Sequence, residues 1–352
     1  MNDAPAEAEA LVERRGSAGL IILNRPKALN ALTLTMVRLM AAALDAWERD
    51  PAVTRVLVRG AGERAFCAGG DIRRLYEFGR AGDHASQLAF WREEYLLNIR
   101  FRAYPKPIVA LVDGIDMGGG VGVSLNASHM VVGERFVFAM PEVGIGFFPD
   151  VGATFFLPRL PEGFGRYFAL TGLRAGPGDA VALGMAGTFT PSARFAALAE
   201  ALEGDAPVEE TLRRFAEAPP PSPLQAEAAG VAACFAGDDR EAILAALEAA
   251  SAKGAAFAAP ALAAMRDKSP TSQAIALRQV RIGAALDFVE AMRAEFRVVS
   301  RIARGHDFYE GVRAVLIDRD NAPRWAPAPS SAEVDAYFAP LGADELPAPG
   351  RS

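Results

Sequence analysis

Cysteine is nearly absent from this 352-residue chain, with Cys67 and Cys234 its only two. They stand far apart, form no Cys-x-x-Cys pair and give no disulfide framework, so both read as free thiols of a reducing compartment. Histidine is as scarce. His84, His129 and His306 are the whole complement, and none stands at metal-ligand spacing from Cys, Asp or Glu, so no metal is expected. Long apolar runs are missing too: nothing approaches the roughly 18 to 20 residues of a membrane span, and the Ala-rich stretches are broken by charged residues. Basic charge is short. The formal charge of −6 has the wrong sign for neutralising a phosphate backbone, so neither nucleic acid nor a membrane is an expected partner. Residues 1–16 show neither the basic start and apolar stretch of a secretory signal nor the Arg- and Ser-rich, acid-poor character of a transit peptide. The expectation is a cytoplasmic protein.

What the chain has in quantity is apolar residues, 51% of the total, enough for a large core. Leu20 to Leu23, Arg55 to Arg59 and Ile108 to Val112 read as strands, as do His129 to Val132 and Phe136 to Phe138. Helical periodicity covers 33–50, where Leu34, Val37, Met40, Ala41 and Leu44 share a face and Pro51 closes the run. Further helices are expected over 72–78 and 117–127. Strand alternates with helix, as in an α/β layer of parallel strands, where ligands favour the loops at the strands' carboxyl ends. Beyond about residue 203 the composition changes. The connector Pro219-Pro-Pro-Ser-Pro223 leads into Ala-rich helical stretches, 240–252 and a long one over 271–304. A division into 1–203 and a helical 204–352 follows, with the role of the Ala- and Pro-rich segment 204–268 open.

Two glycine-rich turns lie where such a site is expected. Ala65-Phe-Cys-Ala-Gly-Gly-Asp-Ile72 and Asp113-Gly-Ile-Asp-Met-Gly-Gly-Gly-Val-Gly122 each follow an apolar strand and open a helix. Glycine lets a ligand approach the main chain, and the unpaired N–H groups at a helix start stabilise an anion without a basic side chain. One N–H from each turn on a single carbonyl oxygen makes an oxyanion hole, where losing one such donor costs roughly 2.7 to 4 kcal/mol of transition-state stabilisation. A tight turn packing helix on sheet accounts equally well for either cluster alone. Neither segment has the spacing of a P-loop or a dinucleotide fingerprint.

Taken with Asn24-Arg-Pro-Lys-Ala-Leu-Asn-Ala-Leu32, the two turns resemble the enoyl-coenzyme A hydratase/isomerase (crotonase) family in order and spacing. Phe138-Ala-Met-Pro-Glu-Val-Gly-Ile-Gly-Phe-Phe-Pro-Asp-Val-Gly152, Phe156-Leu-Pro-Arg-Leu160, Ser269-Pro-Thr-Ser272 and the segment from Arg304 to Asp318 resemble one branch, the 3-hydroxyisobutyryl-coenzyme A hydrolases. The resemblance implies an α/β crotonase (ClpP/crotonase-like) fold, a spiral of ββα repeats with a helical C-terminal region. It implies oxyanion N–H groups at Gly70 and Gly119, and an Ala68 carbonyl facing the adenine amino group. Hydratases of the family carry two glutamates. One corresponds to Glu142, but the other position is Gly122 here, while the hydrolase aspartate is matched by Asp150. In the segment Arg92-Glu-Glu-Tyr95 the resemblance places Glu94, or its neighbour Glu93, near substrate.

The activity implied is hydrolysis of the thioester of 3-hydroxyisobutyryl-coenzyme A, as in valine breakdown, with Glu142 as nucleophile or general base and Asp150 sharing a proton with Glu142 or with the substrate hydroxyl. Enoyl-coenzyme A hydration or isomerisation is the alternative enzyme, and a non-catalytic crotonase-fold assembly subunit the alternative of another class. Coenzyme A is part of the substrate, so no separate cofactor is implied, and a homo-oligomer is open. Arg25 and Lys27 are candidate cations for the coenzyme's phosphates. Cys67 reads as core packing and His306 as structural.

Overall fold

Short β-branched and leucine-rich runs build two sheets in the computed structural model, which describes residues 8–347. The larger holds β1 (Ala10–Arg15), β2 (Ala18–Leu23), β3 (Arg55–Gly60), β5 (Ile108–Val112), β7 (His129–Val132) and β9 (Thr188–Phe189), in the order β1-β2-β3-β5-β7-β9. The smaller holds β4 (Ala65–Cys67), β6 (Ile115–Met117) and β8 (Val137–Ala139). Both sheets are parallel apart from β1, which folds back antiparallel on β2 through Gly16. Every residue of β2 and β5 is buried, as layers covered on both faces require.

The chain alternates between the sheets. Each pair β3–β4, β5–β6 and β7–β8 lays one strand in the large sheet and the next in the small one before turning into helix, which is the expected ββα spiral. Helix α1 (Leu34–Arg49) starts where the Thr33 side chain accepts the Met36 N–H, and it buries Met36, Val37, Met40, Leu44 and Trp47 on one face. Helices α2 (Ile72–Arg80) and α3 (His84–Ala103) follow β4, and α4 (Gly119–Ser124) follows β6.

Two expected helices differ. The one expected over 117–127 is only α4, because Met117 still pairs with Ala139 in the small sheet. The long one over 271–304 is two, α5 (Pro270–Gly283) and α6 (Phe288–Ile302). Asp287 caps α6 by accepting the Glu290 N–H, and the Arg159 guanidinium donates to the carbonyls of Gly283 and Leu286 at the break.

No strand follows Phe189 among the described residues. The C-terminal helices pack on the strand layers in one buried cluster. Trp91 of α3 stacks on Phe147 at 5.4 Å, and Phe147 meets Phe308 of α7 (His306–Val312) at 5.7 Å. Each such side chain, fully buried, contributes about 1.5 to 3 kcal/mol, so this aromatic wedge fixes the C-terminal helices over the ends of the small sheet.

Candidate active site

The three strands of the small sheet end side by side, and each hands over one piece of the same cavity. β4 leads into Ala68, Gly69 and Gly70, β6 into Gly118 and Gly119, and β8 through Met140 and Pro141 to Glu142. The cavity holds about 890 Å³, and Gly70, Gly119, Glu94, Glu142 and Asp150 all line it.

Gly69 at φ 109 and Gly118 at φ 49 turn the chain in the region that favours glycine, which brings the two strand ends close. A Cβ built on Gly119 would lie 3.2 Å from the Gly70 nitrogen and 2.5 Å from Glu94 Oε1, so only glycine leaves room there for a substrate atom. Leu32 bonds to the Gly69 carbonyl and the Asp71 N–H on either side of Gly70, which turns Gly70's own N–H away from that ladder. Neither the Gly70 nor the Gly119 N–H donates to a protein acceptor among the described residues. Two unused donors a few ångströms apart suit one oxygen that gains negative charge.

Facing them is a group of buried carboxyls. Glu94, Glu142 and Asp150 are 2, 6 and 4% exposed, so their ionised forms have lost almost all hydration. Glu94 Oε1 and Glu142 Oε2 have no hydrogen-bond partner among the described residues, whereas Asp150 Oδ2 accepts the Tyr95 hydroxyl at 2.7 Å. Burial pushes the Asp150 carboxyl up to about 7, against the pull of the Tyr95 hydrogen bond. Burial first, then repulsion from Asp150, raises Glu94 and Glu142 well above the carboxylate range. Glu295 of α6, also buried, is pushed up to about 8 by burial and Asp150. Like charges this close cannot all ionise, so the cluster shares protons and titrates as a unit. Such a set holds a carboxylate and a carboxylic acid side by side near neutrality, one to take a proton and one to give it.

The adjacent glutamates of α3 point in opposite directions. Glu93 forms a bidentate pair with Arg38 of α1 on the surface, at 2.7 and 2.6 Å, while Glu94 enters the cavity. Ala68 lines the cavity with a carbonyl that accepts no hydrogen bond among the described residues. Lys27 is exposed at its mouth with no ion pair among them. Arg25 differs from the expectation of a phosphate cation: it binds Asp71 at 3.0 Å and the Ala31 carbonyl at 2.6 Å, clamping the first turn. His306 is bonded to the Arg324 carbonyl, away from the cavity. Cys67 is buried with its thiol toward the Gly69 carbonyl at 3.6 Å, and burial pushes it far from the thiolate form. Sequence reasoning gave no role to Tyr95, Asn98, Asn126, Gln279 or Glu295. Tyr95 adjoins Glu94 within a segment already singled out, the only local signal any of them offers.

Gly122 is closed to the glutamate that hydratases place there. A Cβ would lie 2.7 Å from Val151 Cβ and 2.9 Å from Asn98 Nδ2. Asn98 and Asn126 both donate to the Gly122 carbonyl, at 3.1 and 2.8 Å, and so fill the space with a packed polar contact.

Residues 18–338 match the family model described as enoyl-CoA hydratase/isomerase. A mitochondrial 3-hydroxyisobutyryl-CoA hydrolase of Danio rerio is 42% identical over 98% of this chain and 93% of its own length. The one of Homo sapiens is 40% identical over 97% of this chain and 91% of its own. Among solved structures, a carnitinyl-CoA dehydratase from Mycobacterium thermoresistibile superposes with a TM-score of 0.90 at 42% identity, covering 96% of this chain and 98% of that one. An enoyl-CoA hydratase from Rhodobacter sphaeroides 2.4.1 gives 0.89 at 42% identity, covering 96% and 99%. The expected cytoplasmic location is overturned by the relatives' names, which are those of mitochondrial enzymes. Free thiols and an acidic balance suit any reducing aqueous compartment and do not tell these apart. No helix among the described residues is long and apolar enough to cross a membrane.

Proposed function

Because the chain belongs to the enoyl-CoA hydratase/isomerase family, we propose from its site that it hydrolyses the thioester of 3-hydroxyisobutyryl-CoA, releasing 3-hydroxyisobutyrate and coenzyme A. The observation that carries the choice of hydrolysis over hydration is Gly122: the second hydratase carboxylate has no room, and an acidic cluster stands beside the paired N–H groups instead. The relatives named as hydrolases point the same way, while the solved structures named for hydration and dehydration share the same fold. In this reading residues 1–203 carry the reacting groups, and the described helices of the C-terminal region, within 204–347, enclose them.

The thioester carbonyl sits with its oxygen between the Gly70 and Gly119 N–H groups. Ionised Glu142 acts in one of two ways. As general base it takes a proton from a water whose oxygen attacks the carbonyl carbon; as nucleophile it attacks directly, giving a mixed anhydride that water then opens. In both, the carbonyl π pair moves onto the held oxygen and returns to expel sulfur, and a protonated carboxyl of the cluster gives the thiolate its proton. Asp150 suits that donor, since burial keeps its proton on to about pH 7. Glu94 faces the acyl group from α3. Ala68 and Lys27 stand where the nucleotide end would lie.

The test is release of coenzyme A from (S)-3-hydroxyisobutyryl-CoA beside hydration of crotonyl-CoA. Rapid release without hydration supports the proposal, and hydration without release refutes it. Label found in Glu142 after a single turnover in oxygen-labelled water establishes the anhydride route, since it enters there only if water opens the anhydride at the Glu142 carbonyl.

A further inference from the structure

Asp150 is carried on a turn that its own sequence does not favour. The next residue, Val151, is β-branched and sits at φ 53, a conformation costing about 1 to 3 kcal/mol outside glycine. The following Gly152 stands at φ 103 and opens the short helix Ala153–Phe156. Something must hold this turn, and the polar backbone groups on both sides of Asp150 are each gripped by a buried side chain. Asn126 donates to the Val151 carbonyl at 3.1 Å. Gln279 of α5 donates to the Pro149 carbonyl and, at 2.7 Å, to the Thr154 hydroxyl. Glu295 of α6 accepts the Gly152 N–H on Oε2 at 2.9 Å and the Thr154 N–H on Oε1 at 2.8 Å.

Resting on the reading of Asp150 as part of the chemistry, we propose that Glu295 is a positioning residue whose two-pronged grip on the Gly152 and Thr154 N–H groups holds the strained turn and aims the Asp150 carboxyl into the cavity. Glu295 lines no part of the cavity, so it acts through Asp150 and not on substrate. Its placement is unusual for a structural clamp. The titratable groups facing it from the packed elements are Glu94 and Tyr95 of α3, Glu142 and Asp150, with no cation among them. The guanidinium groups of α3 on that side, Arg92 and Arg102, lie over the rings of Phe296 and of Phe155 and Phe288. Burial and Asp150 keep Glu295 largely protonated near neutrality, and in either form it presents two oxygens to the two N–H groups, where glutamine would present one oxygen and one donor.

The test is the variant Glu295→Gln, made alone and together with Asp150→Asn in the full chain. Alone, it replaces one acceptor with a donor facing an N–H, so the turn relaxes; kcat falls by about tenfold or more with KM within about twofold, as a displaced catalytic group requires. Combined with Asp150→Asn it costs less than about twofold further, because its target is already gone. The limb of the pH profile set by Asp150 shifts as its carboxyl is re-sited relative to the Tyr95 hydroxyl and the buried walls around it, a change that general loosening away from the site does not produce. If Glu295→Gln does not fold, Glu295→Asp keeps both acceptors on a shorter stem and is read in the same cycle. Equal losses in both backgrounds, or no loss and no shift, overturn the inference while leaving the hydrolase reading intact. If Asp150→Asn alone keeps full turnover, the reading of the site falls and this inference falls with it.

Discussion

Placing a side chain at Gly122 tests directly why the site lacks a second hydratase glutamate. A methyl group there would stand 2.7 Å from Val151 Cβ, where non-bonded carbons settle at about 3.5 to 4.0 Å, so one of the two must retreat by about 1 Å. Helix α4 gains up to about 1 kcal/mol from alanine in place of glycine. Overpacking of a tight core costs about 1 to 3 kcal/mol, leaving Gly122→Ala about 0 to 2 kcal/mol less stable by denaturant unfolding once the full helix gain is subtracted. The neighbour that must yield is the strained residue next to Asp150, so the disturbance reaches the site, where a displacement of about 1 Å lowers turnover by up to about a hundredfold. Gly122→Glu adds a buried, unpaired carboxylate against Val151 and Asn98, at several kcal/mol for the ion. It is expected to lose thioester hydrolysis without gaining crotonyl-CoA hydration. A Gly122→Glu protein of native stability that hydrates crotonyl-CoA would refute the argument.

Four further outcomes follow from the same geometry. Glu142→Gln lowers kcat by about a hundred- to ten-thousand-fold with little change in KM, measured as coenzyme A release. Gly119→Ala sets a methyl group 3.2 Å from the Gly70 nitrogen and evicts the substrate oxygen, for a loss of about a hundred- to a thousandfold in kcat with the fold retained by circular dichroism. Tyr95→Phe removes the hydroxyl that favours ionised Asp150, so the limb of the pH–rate profile set by Asp150 moves to higher pH by on the order of one unit. Asp116, fully buried beneath the second glycine turn with Ser124 donating to it at 2.5 Å, is pushed up to about 7 by burial. Its folded value lies above its unfolded one, so the stability it contributes is full below about pH 4 and lost as pH rises through about 7. Asp116→Asn, which does not titrate, therefore gains on the wild type by up to about 4 kcal/mol between about pH 4 and pH 8, read from urea unfolding at each pH.

The alternation of strand and helix and the two glycine turns were legible because each turn follows a short apolar strand within a compact stretch of sequence, whereas the ββα spiral and the places of Glu142 and Asp150 came from the family resemblance. Glu94 and Glu93 were harder to separate. Helix α3 is packed by α1 on one side and α6 on the other, so apolar residues occur around its circumference and no polar face marks which glutamate is outside. The division of 271–304 left one readable mark, Asp287 three residues before Glu290, but Ala- and Leu-rich flanks kept the helical rhythm running across it. Glu295 left none. A single acid within an apolar helix face reads as an interruption until the distant turn that it grips, 143 residues away, is in place.

That distance sets an order of events. Gly70, Gly119 and Glu142 come from neighbouring strands and are aligned once the small sheet has formed, while the grip on Asp150 waits for helices made from the last third of the chain. A chain still emerging from the ribosome can thus have its anion-holding backbone ready and yet be inert toward thioesters. With Glu295 holding the Asp150 turn, full turnover is expected only once the last third of the chain has packed onto that turn.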